Sequence, residues 1–288
     1  MYEWIRGRKN YLPEAKIKHY MYQLLKALDH MHTNGIFHRD IKPENVLLAE
    51  ENLKLADFGS CRGIYSKQPF TEYISTRWYR SPECLLTDGY YSYKMDIWGI
   101  GCVFFEISAL FPLFPGKNEL DQINKIHNIL GTPPTKILDD FRSHASHMEI
   151  NFAPKEGTGI EKLLMHITED ARDLITKMLI YDHEERITCK DALAHPYFKD
   201  MADEGLRRIP SPFGKSVAGD SAAGEKPKED RTQNKRFLPL ISKNPNSKNP
   251  SYTKISMSVE NKTLAPKNYA MSIKNHAQYV QKSYKSYY

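Results

Sequence analysis

His38-Arg39-Asp40-Ile41-Lys42-Pro43-Glu44-Asn45 is the stretch on which the reading of this chain turns. Twelve residues after Asn45 comes Asp57-Phe58-Gly59. Between the two motifs, Val46-Leu47-Leu48 and Leu53-Lys54-Leu55 are short strand candidates separated by a polar turn, which predicts a small hairpin at a loop-rich site. Ser81-Pro82-Glu83 and Asp96-Ile97-Trp98-Gly99 follow in order. One such tripeptide carries little information. Four in this order and spacing carry much more.

Outward from that core, helical signals dominate. Pro13 can open a helix in its first turn, and Ile17, Met21, Leu24, Leu28 and Met31 follow at three- and four-residue steps. The run from Asp96 to Ile107 is apolar nearly all round, which predicts a helix buried in the middle of its domain. A third helix is predicted from a cap at Asn118, with Leu120, Ile123, Ile126 and Leu130 on its inner face and Gly131, Pro133 and Pro134 at its end. Thr168 and Thr188 are candidate caps for two more, the first with Leu174, Ile175, Met178 and Leu179 as its buried stripe. The expectation is a mainly helical domain with one small hairpin.

Composition sets the outer bounds. A length of 288 residues allows one large domain or two small ones. With 40% hydrophobic and 26% charged residues, collagen-like, coiled-coil and wholly disordered classes fall away. No apolar run approaches the ~20 residues of a membrane span, and MYEWIRGRKN contains no signal-peptide core. Cys61, Cys84, Cys102 and Cys189 lie far apart with no metal-type spacing, which points to reduced thiols in an intracellular compartment. The net charge of +6 is uneven: residues 1–200 hold 25 Lys and Arg against 28 Asp and Glu, and residues 201–288 hold 16 against 7. After His195-Pro196-Tyr197-Phe198 the chain becomes rich in Ser, Lys, Asn, Pro and Gly, so 201–288 is expected to be a mostly disordered, basic, low-complexity tail. The domain boundary is placed near 200.

The four motifs resemble the large lobe of a eukaryotic protein kinase, an α+β family whose large lobe is mainly helical. The resemblance covers about 1–200. It implies a serine/threonine protein kinase using ATP and Mg²⁺ on protein substrates. Asp40 then accepts or orients the substrate hydroxyl proton, and Lys42 steadies the transferred phosphate, a lysine that favours Ser/Thr over dedicated Tyr specificity. Asn45 and Asp57 supply hard oxygen ligands for the metal. Glu83 and Arg186 resemble the family's buried ion pair. Leu113-Phe114-Pro115-Gly116, Asn118-Glu119-Leu120-Asp121-Gln122 and Leu130-Gly131-Thr132-Pro133 are similar to the cyclin-dependent and mitogen-activated branch, which implies sites followed by proline. Tyr2-Glu3, Ile5-Arg6-Gly7-Arg8, the run from Asp57 to Arg62 and Ser66-Lys67-Gln68-Pro69 look most like one subgroup of that branch.

Thr71-Glu72-Tyr73 is similar to the dual-phosphorylation lip of mitogen-activated kinases, and implies an upstream activating kinase. Phosphates on Thr71 and Tyr73 need cations, for which Arg39, Arg62, Arg77 and Arg80 are candidates.

The family's small-lobe motifs are missing from these 288 residues. No G-x-G-x-x-G occurs, nor a V-A-I-K lysine with its partner glutamate, and Gly99-Ile100-Gly101 falls within the buried helix. Negligible catalysis is therefore expected of this polypeptide alone, and a non-catalytic large-lobe module that binds substrates or regulators is the alternative. The tail segment 231–288 has 11 Lys and Arg, one acidic residue (Glu260) and six interleaved tyrosines. Any acidic partner is expected there. Location in the cytoplasm and the nucleus is the corresponding expectation, with Arg231-Thr232-Gln233-Asn234-Lys235-Arg236 as a sparse import signal.

Overall fold

A computed structural model describes residues 1–71, 76–146 and 150–201. Tyr73 and the expected tail from residue 202 onward lie outside the described residues. The chain begins with a single helical turn, α1 (Tyr2–Ile5), and a long helix, α2 (Glu14–Thr33). Pro13 sits at the N-cap of α2 and not inside its first turn, and its carbonyl accepts from Lys16 and Ile17 N–H. Ile17, Met21, Leu24 and Leu28 are buried on one face, with Met31 packed at the margin.

The predicted hairpin is present as β2 (Val46–Ala49) and β3 (Asn52–Leu55), which follow a two-residue strand β1 (Ile36–Phe37). Register pairs Val46 with Leu55 and Ala49 with Asn52. The turn of this hairpin is fastened to α2: the Tyr20 hydroxyl donates to Glu50 O at 3.1 Å, and Gln23 Nε2 donates to Glu51 O at 2.8 Å. A second antiparallel pair, absent from the sequence reading, joins β1 to β4 (Arg62–Gly63).

The rest is helical: α3 (Pro82–Leu86), α4 (Met95–Ala109), α5 (Glu119–Leu130), α6 (Thr135–Ser143), α7 (Glu169–Met178) and α8 (Cys189–Leu193). Every residue of α4 is buried, including Asp96, Glu106 and Ser108. It packs between α2 and α7, and close approach to α7 depends on Gly101, where a Cβ would lie 2.9 Å from Leu179 Cδ2. All three predicted caps form: Asn118 Oδ1 accepts from Asp121 N (2.9 Å), Thr168 Oγ1 from Ala171 N (3.4 Å) and Thr188 Oγ1 from Asp191 N (3.1 Å). The stripe of α7 is buried as expected.

The inner face of α5 differs from the expectation. Leu120 is 58% exposed and Leu130 half-buried, while Gln122 and His127 are buried. The buried arc centres on Ile123 and Ile126, and Leu120 stands at its edge. Gln122 takes an inner place because its Oε1 accepts from Gly116 N at 3.0 Å, and His127 because its ring meets Phe152 edge-on. Among the described residues no helix is long and apolar enough to cross a membrane.

Candidate active site

The loop between β1 and β2 is held from below by Asp96, in the first turn of α4. Its Oδ2 accepts from His38 N (2.8 Å) and its Oδ1 from Arg39 N (2.7 Å). His32, near the end of α2, donates through Nε2 to the same Oδ2 at 3.0 Å. The carboxylate is 1% exposed, so these charge-assisted bonds act in a desolvated setting. They hold Arg39 at φ 69°, a left-handed backbone costing about 1–2 kcal/mol for a residue with a Cβ. His38 Nδ1 accepts from Asp40 N (3.3 Å), so the ring hydrogen is on Nε2, which donates to Ala56 O at 3.0 Å. One imidazole thereby joins the loop to the end of β3.

Asp40 follows at once and is 6% exposed. Its Oδ2 accepts from Lys42 Nζ at 2.8 Å and from Asn45 Nδ2 at 2.9 Å. Asn45 Nδ2 also donates to Asp40 O at 2.8 Å, which commits the amide nitrogen and leaves the amide oxygen for another partner. Ala56 N donates to Asn45 O at 2.9 Å, so the hairpin returns the chain to Asn45 just before Asp57. Asp57 is exposed, at φ 63° and ψ 70°, and its Oδ1 accepts a long 3.4 Å bond from Gly59 N. Asp40, Lys42 and Asn45 thus meet directly, and Asp57 is placed at the same end of the hairpin.

This donor set fits a magnesium ion. An amide oxygen and a carboxylate are hard ligands, and Mg²⁺ is ordinarily held by one or two carboxylates with water and phosphate completing its shell. Among the described residues no group of three His, Cys, Asp or Glu forms a protein cage for a metal.

The four candidate phosphate-binding arginines do not share one location. Arg39 is buried, donating through Nε to Ser60 O (2.6 Å) and through Nη1 to the Tyr91 hydroxyl (3.1 Å). Tyr91 in turn donates to Thr71 O at 2.7 Å. Arg62 is exposed in β4, opposite Phe37. Arg77 donates to Lys117 O at 3.3 Å, and Arg80 is buried with Nη1 3.8 Å from Glu119 Oε1, so both lie against the start of α5.

Two further buried carboxylates brace this region. Glu83, in α3, accepts from both guanidinium ends of Arg186, at 2.7 and 2.9 Å, in the pairing the sequence suggested. Burial alone would raise the Glu83 carboxyl, but the charge and hydrogen bonds of Arg186 hold it below its ordinary value. Glu106 accepts from the Tyr79 hydroxyl at 2.7 Å, and burial pushes its pKa up to about 7. Sequence reasoning missed Glu106, Tyr79 and Tyr91, and took Asp96 only as part of a motif. His32 had no signal beyond its place in a helix.

Asp40 is thus set between a lysine and an asparagine, and the exposed Asp57 follows at the end of β3. In comparison with known proteins, residues 1–198 match the protein kinase domain family, and the chain belongs to it. It is 57% identical over 211 residues to the MAPK/MAK/MRK overlapping kinase of Homo sapiens, covering 73% of this chain and 50% of that protein. It is 59% identical over 199 residues to the Mus musculus protein of the same name, covering 69% and 47%. To the serine/threonine-protein kinase MAK of Homo sapiens it is 41% identical over 200 residues, covering 69% and 32%. The subgroup indicated by the motifs of 2–8 and 57–69 is that of the first two. The chain spans about half the length of those two relatives.

Proposed function

We propose that this chain carries the substrate-binding and catalytic-loop part of a serine/threonine protein kinase. The kinase of which it is part transfers the γ-phosphate of ATP to Ser or Thr followed by proline in protein substrates. The observation that supports this most directly is Asp40 Oδ2, held at 2.8 Å by Lys42 and 2.9 Å by Asn45. Bound ATP with Mg²⁺ supplies the transferable phosphoryl group and neutralises its charge. Asp40 orients the substrate hydroxyl and takes its proton. Lys42, already beside Asp40, balances negative charge building up on the transferred group. Asn45 Oδ1 and the Asp57 carboxylate would hold the metal. Thr71 and Tyr73 are the residues phosphorylated by an upstream kinase. The basic tail contacts an acidic partner, and the protein works in the cytoplasm and the nucleus.

The 288-residue polypeptide assayed by itself is expected to turn over negligibly, because it has no glycine-rich loop and no V-A-I-K lysine. Losing one preorganised donor costs about 3–4 kcal/mol of transition-state stabilisation, and several are missing. That same observation favours the second reading, a non-catalytic module that binds kinase substrates or regulators. Mg·ATP-dependent transfer to a Ser-Pro peptide separates the two. The assay uses the chain alone, the chain fused behind the small lobe of a relative, and the fusion carrying Asp40→Asn. The expected result is activity only in the unsubstituted fusion. Asp40-dependent turnover by the chain alone would sink the inactivity claim, and an inactive fusion would favour the binding module.

A further inference from the structure

Residues 68–71 do not merely pass over the surface. Phe70 N donates to Gly89 O at 2.8 Å, Gln68 Nε2 donates to Tyr91 O at 2.9 Å, and Tyr91 OH donates to Thr71 O at 2.7 Å. Three successive tethers therefore end on Gly89 or Tyr91. The contact is close: Gly89 has φ 84°, and a Cβ there would lie 2.1 Å from Phe70 O. Beneath it is a small hydrophobic cluster of its own, Phe37, Cys84, Tyr91 and Met95, against which Phe70 packs. The Phe70 ring lies 5.3 Å from Tyr91 and 5.4 Å from Phe37.

The Tyr91 hydroxyl occupies a particular position in this arrangement. It accepts from Arg39 Nη1 at 3.1 Å while it donates to Thr71 O. Arg39 adjoins Asp40 in the chain, is 3% exposed, and is fixed on its other side by Ser60 O. A hydroxyl can donate once and accept at the same time, so one oxygen links the loop bearing Asp40 to the backbone of Thr71. In such a chain each bond polarises the next, and loss of the shared atom removes both. Ring packing and hydroxyl chemistry are separable here, because phenylalanine keeps the first and lacks only the second.

We propose that Tyr91 is a positioning residue that couples the lip at Thr71 to the Arg39–Asp40 loop through its hydroxyl, with no phosphate required. Residues 68–71 are docked before any modification, and a phosphate on Thr71 acts on a backbone already in place. That last consequence rests on the reading of Thr71 as a regulated residue; the tether itself does not.

Hydrogen–deuterium exchange of the full 288-residue chain tests the coupling. Tyr91→Phe is expected to raise exchange in peptides covering 64–71 by about tenfold, the effect of losing a buried hydrogen bond and stranding its partners. Tyr90→Phe, at the neighbouring and partly exposed ring, is expected to match the unsubstituted chain. Thr71→Ala keeps the accepting carbonyl and is likewise expected to leave exchange unchanged. Arg39→Lys is expected to loosen 64–71, and adding Tyr91→Phe to it is expected to change little more, a non-additivity that simple loss of packing does not produce. Lip exchange in Tyr91→Phe within twofold of the unsubstituted chain overturns the proposal. So does a rise spread evenly over the chain, or a Thr71→Ala variant as loose as Tyr91→Phe. Mass spectrometry of the protein from cells reports separately on Thr71 phosphate. A loosened Tyr91→Phe lip without that phosphate would keep the coupling and discard the regulatory reading, and the opposite pair of results would do the reverse.

Discussion

Arg186→Met is the substitution for which the structure gives the clearest magnitude. The Arg186 side chain is 0% exposed and its partner Glu83 1%. Besides its two bonds to Glu83, Arg186 donates to Ile180 O (3.0 Å), Lys94 O (2.9 Å) and Tyr181 O (3.4 Å), and lies 5.2 Å from the Trp98 ring centre. Methionine restores much of the packing against Trp98 but none of the donors. Removing one member of a buried pair costs about 3–5 kcal/mol, chiefly because the other charge is left uncompensated. The freed carbonyls of Ile180 and Tyr181 add to this, while Lys94 O keeps the N–H groups of Ile97 (3.1 Å) and Trp98 (3.4 Å), so the expected loss is about 4 kcal/mol or more. Against a typical total of about 5–15 kcal/mol, such a chain sits near the edge of folding. Glu83→Gln keeps shape and an acceptor and is expected to cost about 1–3 kcal/mol. The double variant is expected to be more stable than the two single losses predict, because no stranded carboxylate remains. Urea unfolding followed by tryptophan fluorescence measures all four proteins on one scale. Glu83 has a carboxyl held below its ordinary 4.5, so its stabilising contribution is present above that value and is lost as pH falls through the lower, folded value. The unsubstituted chain is therefore expected to lose stability in that acid window more steeply than Arg186→Met. An Arg186→Met cost under ~1 kcal/mol, or strict additivity in the double variant, would refute the account of the pair.

Glu106 carries the opposite sign. Burial raises its carboxyl from 4.5 to about 7, so the chain is stabilised relative to a normal carboxylate at low pH and loses up to about 3 kcal/mol as pH rises from 4.5 to 7. Glu106→Gln is expected to remove that slope in melting curves recorded across this range, and an unchanged slope would place the titration elsewhere. Thiol labelling of the folded chain is expected to modify Cys61 first, with Cys84, Cys102 and Cys189 reacting only on unfolding, since burial raises all three thiols and closes access to them. Labelling of Cys102 at the rate of Cys61 in native buffer would contradict the burial of α4.

What the sequence disclosed, and what it hid, follows from the range of each interaction. Asp40, Lys42 and Asn45 lie within six residues of one another and meet because the loop is short. The hairpin that brings Asp57 back to them is legible in two apolar triplets. α4 announced its burial by being apolar nearly all round. The misses are of another kind. Asp96 binds the backbone of residues 58 and 57 positions earlier, and Tyr91 binds Arg39 and Thr71 across separations of 52 and 20. No periodicity records such pairings, because a single side-chain oxygen has no pattern to repeat. β1 and β4 are too short to alternate visibly, and the step rule places Leu120 inward because it ignores that Gln122 and His127 fill the inner arc for polar and aromatic reasons.

The long-range polar bonds also explain why a wholly buried, mostly apolar helix lies beneath a polar site. α4 presents Asp96 at its start and Glu106 near its end, ten residues apart, which at 1.5 Å per residue is about 15 Å. Asp96 fixes the backbone at His38 and Arg39, and Glu106 fixes Tyr79 in the segment after the lip. The rest of the helix is enclosed by α2 and α7, so neither carboxylate can shift without disturbing that packing. Two segments forty residues apart in the chain are thereby referred to one rigid element. Each is fixed by a buried carboxyl group whose desolvation is tolerable only while its hydrogen-bond partners stay in place. The apolar core and the catalytic-loop geometry are in this sense one structure, and a cavity opened in α4, for example by Phe104→Ala, is expected to be felt first where Asp96 and Glu106 hold their donors.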